Sequence, residues 1–505
     1  MDLDWKICSR ARLSQDARFD GKFFIGVLST GIYCRSICRA RTAKESNVRY
    51  FPSAAAAAEA GFRPCLRCRP ECSPGTPGWL GTPSTVARAL RLIDESSLEE
   101  SGWQDGGVES LAERLGLGSR HLRRLFLRHL GATPSAVVRT RRLHFAKKLI
   151  DETSLPMNQV ASASGFGSVR RFNAAIQKTY HRTPSQIRRL ARQTEAPQQN
   201  QYLFRLGFRP PYDWSAMLAF LAPRMIPGVE VLHLGRYRRS IALNGEEGYF
   251  DVSLDQKNDV LDVCIQFGDP RSLFFIIQRI RAMFDLNADS REIVRCLGSD
   301  PLLARRVKAA PGLRVPGCWN GFELAVRAIL GQQISVKAAT TLAGRIAKAF
   351  GRRFSTASGL THLFPTPQTL ADANLAGIGL PTARAKTIQA LARAVHDGHI
   401  RFEGIVESDS FLARLCQIPG IGTWTAQYVA MRALGEPDAF PSSDLGLRYA
   451  ADLDSPRELE ERADAWRPWR SYAAMYLWTN PSVHSKLRTS PPREAASRRD
   501  RSLAS

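Results

Sequence analysis

Apolar and polar positions divide the chain into stretches of different period. Two similar stretches, SLAERLGLGSRHLRRLFLRHLGATPS (110–135) and VASASGFGSVRRFNAAIQKTYHRTPS (160–185), carry helical spacing and one glycine break each, at Gly116 and Gly165. They read as two helix-turn-helix units on a connecting helix near 135–150, with Ser119 and Ser168 expected to cap the second helix of each. Between 202 and 297, strand-like alternation (VEVLHLGRYRRSIAL, DVCIQF) mixes with a helical run (SLFFIIQRIRAMFDL), which predicts a small α+β domain. From 313 the chain reads as helical, and FELAVRAILGQQISVKAATTLAGRIAKAF divides into two helices about residues 331–335. LCQIPGIGTWTAQYVAMRALGEPDAFPSSD (415–444) predicts a helix, a tight hairpin, a second helix through Trp424, Tyr428 and Met431, and an extended segment ending in Asp444. Pro419 removes a backbone donor, and Gly420 and Gly422 allow angles other residues resist. Thr423 is expected to cap the second helix. Such a hairpin aims backbone N–H groups at an anion.

Charge gives that anion an identity. Lys and Arg number 71 against 47 Asp and Glu in 505 residues, a formal net charge of +24 spread along the chain. This favours a polyanion, most simply double-stranded DNA, whose phosphates the hairpin and the basic recognition helices would meet. No apolar run is long enough for a bilayer and MDLDWKICSR is no signal peptide, so a cytoplasmic protein without membrane partners is expected. Residues 73–84 and 191–201 read as linkers, and the basic, Pro/Ser-rich end as a disordered tail.

Of the ten cysteines, four fall in two close pairs, which argues for a metal rather than a disulfide framework. Cys34 and Cys38 form a C-x-x-x-C pair, and Cys65 and Cys68 a C-x-x-C pair. Four thiolates in two close pairs suit tetrahedral zinc, which would supply much of a small module's folding free energy. Cys8 and Cys72 read as ordinary thiols. A purely structural zinc knuckle remains the plain reading. DGKFFIGVLSTGIYCRSICRAR…NVRYF…AGFRPCLRCRPE (20–71) resembles the N-terminal domain of Ada-type methylphosphotriester repair proteins. The resemblance implies that Cys34 is both zinc ligand and methyl acceptor. Methylation would remove one negative charge and ease approach to DNA. Ser36 and Ile37 depart from the family, which often has Pro after Cys-Arg.

The second helices of the repeat carry Arg120, His121, Arg123 and Arg124, then Arg170, Arg171 and Asn173. Such side chains read base edges or hold phosphates. The whole stretch resembles an AraC-type DNA-binding domain, which Ada-type proteins place in the same order. No alkylguanine-methyltransferase Pro-Cys-His-Arg motif is present.

The hairpin alone is compatible with an ordinary helix–helix turn. Together with PPYDWSAMLAFLAPR (210–224), FELAVRAILGQQIS (322–335) and WRPWRSYAAMYLW (466–478), it resembles AlkA-type 3-methyladenine glycosylases of the helix-hairpin-helix superfamily, over about 202–480. The resemblance implies that Asp444 is the catalytic carboxylate and that Gln333 enters the gap left by a flipped base. Relatives that nick DNA carry a Lys where Trp424 stands, so a monofunctional enzyme is implied. Trp424 and Trp469 are candidates for stacking on a cationic base, with Tyr428 beside them and Tyr472 a further option; core packing is equally open for each.

The expected architecture is multidomain and mainly α. A zinc-bound α/β module (1–75) precedes an all-α tandem helix-turn-helix domain (82–192). An α+β domain like the AlkA N-terminal one (202–312), an all-α glycosylase domain (313–482) and a tail (483–505) follow. The expected function is a DNA-3-methyladenine glycosylase fused to a methylphosphotriester-sensing transcriptional activator. RNA polymerase is a further partner of such an activator, and a monomer is expected. The competing expectation is a regulator whose glycosylase-like half only binds DNA.

Overall fold

A computed structural model describes residues 4–74, 84–96, 107–191, 199–354, 359–403 and 408–479. Most of both expected linkers, and the tail, lie outside the described residues.

The N-terminal sheet holds β1 (Phe24–Val27), β2 (Ile32–Cys34), β3 (Val48–Phe51) and β4 (Arg63–Pro64) in the order β3-β1-β2-β4. β1 runs antiparallel to β2 and β3, whereas β2 and β4 are parallel, with Tyr33 opposite Pro64. Gly26 in β1 has a steric reason. A Cβ there would lie 2.7 Å from the Phe51 ring and 2.9 Å from that of Phe62.

The two repeats fold alike. Helices Ser119–Leu130 and Val169–Tyr180 bury Leu122, Phe126 and Leu130, and Phe172, Ile176 and Tyr180, at matching positions. Gly116 and Gly165 have φ of +67° and +75°, the conformation for which the tight turns select glycine. The repeated Thr-Pro-Ser also has a local cause. Thr133 and Thr183 cap helices Pro134–Glu152 and Pro184–Leu190, with Pro at the position whose N–H needs no partner. Ser168 caps as expected, but Ser119 does not. Gly118 is the cap there, without a side-chain bond.

A second, antiparallel sheet holds β5 (Gln201–Gly207), β6 (Glu230–His233), β7 (Arg236–Leu243), β8 (Glu246–Asp255) and β9 (Val260–Phe267), in the order β5-β9-β8-β7-β6. Helix Leu273–Met283 packs on it, and the described residues that follow are mainly helical. Arg239 of β7 is buried between Glu230, at 3.0 Å, and Glu323 of the following helical domain. The fold is thus multidomain and mainly α, with two small sheet-containing modules.

The modules are not beads on a string. Phe24, Tyr33, Phe51 and Phe62 of the zinc module share one apolar cluster with Val86, Leu122, Phe126 and Val138. Leu149, Phe172 and Tyr180 share another with Phe204, Phe250 and Trp319. Tyr33 hydrogen-bonds His144 of the connecting helix at 2.8 Å, and Arg209 Nε donates to the Asp20 carbonyl at 2.9 Å. Among the described residues, no helix is long and apolar enough to cross a membrane.

Candidate functional site

The hairpin links helices Ser408–Cys416 and Thr423–Ala433. Gly420 has φ +91°, and a Cβ there would fall 2.2 Å from Thr387 Oγ1, which donates to the Pro419 carbonyl at 2.8 Å. The cap of the second helix is Gly422 rather than Thr423, which is its first helical residue. A Cβ on Gly422 would meet nothing within 4 Å, and Gly422 and Thr423 are both exposed. Gln332 braces the turn by donating to the Gly420 carbonyl and to Thr425 Oγ1, both at 3.0 Å. Gln333 is exposed, at φ +59°, between helices Gly321–Leu330 and Val336–Phe350.

Helix Thr423–Ala433 lies between two helical cores. Ala426 and Val429 belong to one, Ala430 and Met431 to the other. Trp424 and Tyr428, one turn apart, stack with centroids 5.3 Å apart and ring planes 7° apart. Asp444 caps helix Leu445–Ala451. Its Oδ1 accepts from the Leu447 N–H at 2.9 Å and from Trp478 Nε1 at 3.0 Å, and its Oδ2 from Trp424 Nε1 at 2.8 Å. Neutral donors therefore hold the carboxylate. Among the described residues no cation pairs with it.

The second indole on Asp444 is Trp478 and not Trp469. Trp469 is buried in the helical core, edge-on to Tyr472. Tyr472 in turn donates to the half-buried Asp285 at 2.7 Å, and neither side chain hydrogen-bonds Asp444. Trp478 ended a motif read from the sequence, but nothing local marks its indole as the one that reaches Asp444. Phe220, Arg224 and Arg432 were missed similarly. Arg432 Nη1 donates to the Tyr428 hydroxyl at 2.8 Å, and its guanidinium lies 4.9 Å above Phe220.

The four N-terminal cysteines converge as expected. Pairing of β2 with β4 sets Cys34 beside Cys65, whose N–H donates to the Tyr33 carbonyl. The Sγ atoms of Cys34, Cys38, Cys65 and Cys68 all lie within 4.8 Å of one another. Tetrahedral zinc with bonds of about 2.3 Å needs sulfurs about 3.8 Å apart, so the set fits Zn2+. Around it, the Arg35 N–H donates to Cys68 Sγ at 3.4 Å, and the Arg35 guanidinium is paired with the buried Asp20. Cys8 and Cys72 stand apart, their thiols pushed up by burial to about 12 and about 11. On the recognition helices, Arg120, His121, Arg123, Arg124, Arg170, Arg171 and Asn173 are all exposed.

Comparison with known sequences follows the same order along the chain. The metal binding domain of Ada matches residues 7–71, a helix-turn-helix domain 111–190, the AlkA N-terminal domain 203–320, and the HhH-GPD superfamily of base excision DNA repair proteins 326–468. A "Probable bifunctional transcriptional activator/DNA repair enzyme AlkA" of Mycobacterium tuberculosis (strain ATCC 25618 / H37Rv) is 41% identical over 502 residues, 98% of this chain and 99% of that one. The chain belongs to this AlkA-type activator/repair family. Its C-terminal part is similar to DNA-3-methyladenine glycosylase 2 of Escherichia coli (strain K12), at 34% identity over 55% of this chain and 96% of that protein. Its N-terminal part is similar to the bifunctional transcriptional activator/DNA repair enzyme Ada of the same organism, at 37% identity over 25% of this chain and 32% of that protein.

Proposed function

We propose that the chain joins a monofunctional DNA glycosylase for alkylated purines to a transcriptional activator that responds to methylphosphotriesters. The division at 1–75, 82–192, 202–312, 313–482 and 483–505 belongs to this reading. The observation that carries it is Asp444, a carboxylate held by two indoles and a backbone N–H, with no cation among the described residues to neutralise it, behind a DNA-type hairpin.

In the repair reaction the damaged base leaves the stack, and Trp424, Tyr428 and Trp478 form the aromatic wall that meets it. Gln333 hydrogen-bonds the orphaned partner base, while the N–H groups after Gly420 and Gly422 hold a phosphate. An alkylated purine already carries positive charge, so its glycosidic bond breaks readily and the sugar becomes positive. Asp444 stabilises that charge and orients the attacking water. Trp424 has no amine, so no Schiff base forms and an abasic site remains.

At the other end, Cys34, Cys38, Cys65 and Cys68 would hold Zn2+, which would keep their sulfurs as thiolates. The Cys34 thiolate attacks the methyl carbon of a phosphotriester, the C–O bond breaks, and an ordinary phosphodiester leaves. The site loses one negative charge, and the helices carrying Arg120, Arg123, Arg124, Arg170, Arg171 and Asn173 then hold promoter DNA more firmly. The activator acts as a monomer, in the cytoplasm, on RNA polymerase.

The test is release of free base from methylated duplex DNA by the purified protein, beside Asp444→Asn. Release by the wild type, lost ~100-fold in the variant, is expected. No release from either would leave a regulator with a silent glycosylase-like half.

A further inference from the structure

The hydroxyl of Tyr428 has surroundings that ring stacking does not require. Arg432 donates to its oxygen at 2.8 Å, and the positive charge of Arg224 also acts on the same phenol. Arg432 is buried, and its other N–H groups reach the carbonyls of Pro316 at 2.8 Å and Gly317 at 3.0 Å. Among the described residues neither Arg432 nor Arg224 pairs with a carboxylate. The Arg224 guanidinium instead lies 3.9 Å above the Phe220 ring. A third guanidinium, Arg327, is matched by Glu230 and Glu323, which also hold Arg239. The remaining titratable groups near the phenol are Cys318, its thiol pushed up by burial to about 11, and Asp444, beyond Trp424 and Trp478.

Arg432 uses one lone pair of the phenol oxygen, and the phenol's own O–H remains a donor. Among the described residues nothing accepts that proton. The ring carrying it stacks on Trp424 and meets Trp478 edge-on at 6.2 Å, the two indoles that hold the carboxylate. Unpaired guanidiniums are a poor setting for a base that is already cationic. They suit a group that gains negative charge. Burial would raise the phenol, but Arg432, Arg224 and the hydrogen bond outweigh it and bring it below its usual value.

We propose that Tyr428 is a catalytic proton donor to the departing base when that base carries no charge of its own. The proposal rests on the glycosylase reading. As the bond from C1′ to the base nitrogen breaks, its electron pair goes to the base. The Tyr428 O–H proton passes to a ring nitrogen of the base, leaving a phenolate held by Arg432 and Arg224. Water adds to C1′ and gives its proton to Asp444; Asp444 then releases that proton to solvent, and solvent returns one to the phenolate. A cationic base leaves neutral and needs no such donor.

The test compares single-turnover release from two duplexes, one with a cationic 7-methylguanine and one with an uncharged deoxyinosine, by wild type and Tyr428→Phe. The substitution keeps the ring and removes the proton. The ratio of uncharged to cationic release is expected to fall ~100-fold, the usual effect of a general acid. In the wild type, release from the deoxyinosine duplex alone is expected to decline at high pH, with a limb below the ordinary phenol value of about 10. An unchanged ratio, no such limb, or release of the cationic base with none from deoxyinosine at any pH would overturn the proposal. Release from neither duplex by the wild type would overturn the glycosylase reading itself.

Discussion

Trp478→Phe tests how the carboxylate is held. Phenylalanine keeps a six-membered ring against Tyr428 and removes the pyrrole part of the indole, with the N–H that reaches Asp444 Oδ1 at 3.0 Å. A hydrogen bond to a charged group contributes about 1.5–3 kcal/mol. If all of it acts on the transition state, kcat/KM falls by about 10- to 150-fold. The geometry selects the lower end, because Oδ1 keeps the Leu447 N–H at 2.9 Å. Trp424→Phe removes the sole donor to Oδ2 among the described residues, at 2.8 Å, so its loss is expected near the upper end. The assay is single-turnover release of labelled base from methylated duplex, with each indole variant also made in Asp444→Asn. Residues that act through one carboxylate are strongly non-additive. The double variant Trp478→Phe/Asp444→Asn should therefore be hardly slower than Asp444→Asn alone. A double variant that loses the full product of the two factors, or a Trp478→Phe that loses more than Trp424→Phe, would refute the reasoning.

Gly420→Ala forces a side chain into positive φ and onto Thr387 Oγ1, a strain of about 1–3 kcal/mol, and weaker binding to an undamaged duplex by titration is expected; unchanged affinity and unfolding midpoint would count against the hairpin's role. Burial pushes His144 down to about 4 from an ordinary 6.5, so its contribution is complete above pH 6.5 and is lost as the pH falls toward 4, by up to about 3 kcal/mol. Denaturant unfolding at pH 7 and pH 5 should show a larger drop in wild type than in His144→Gln, and equal drops would contradict this. Chelation of zinc should remove on the order of 10 kcal/mol from the module holding Cys34, Cys38, Cys65 and Cys68, so proteolysis near residue 74 should accelerate in metal-free protein.

Much of this was legible because it is written locally. Pro419, Gly420 and Gly422 punctuate the hairpin, Gly116 and Gly165 mark the repeats, and two close cysteine pairs announce a metal. Capping was less legible, since a serine or threonine beside a glycine leaves open which of them turns first. Gly118 and Gly422 took the positions expected of Ser119 and Thr423. What the sequence withheld is non-local. Trp478 reaches Asp444 from a helix later in the chain, Arg432 projects from the Tyr428 helix toward Phe220, and Trp469 turned into the core. Composition gave these tryptophans equal claims, and packing alone separates them. The contact of Tyr33 with His144 joins two modules that sequence reading treats as separate.

One helix, Pro134–Glu152, places Val137 and Val138 in the cluster under the zinc module and Leu149 and Ile150 in the cluster beneath the second sheet. A chain synthesised without its metal would leave Phe24, Phe51 and Phe62 seeking partners just where that helix begins. Nascent protein in a zinc-starved cell would then be exposed to chaperones and proteases before the repair half had settled. Cellular abundance of the enzyme would follow the supply of a nutrient that base removal itself never uses.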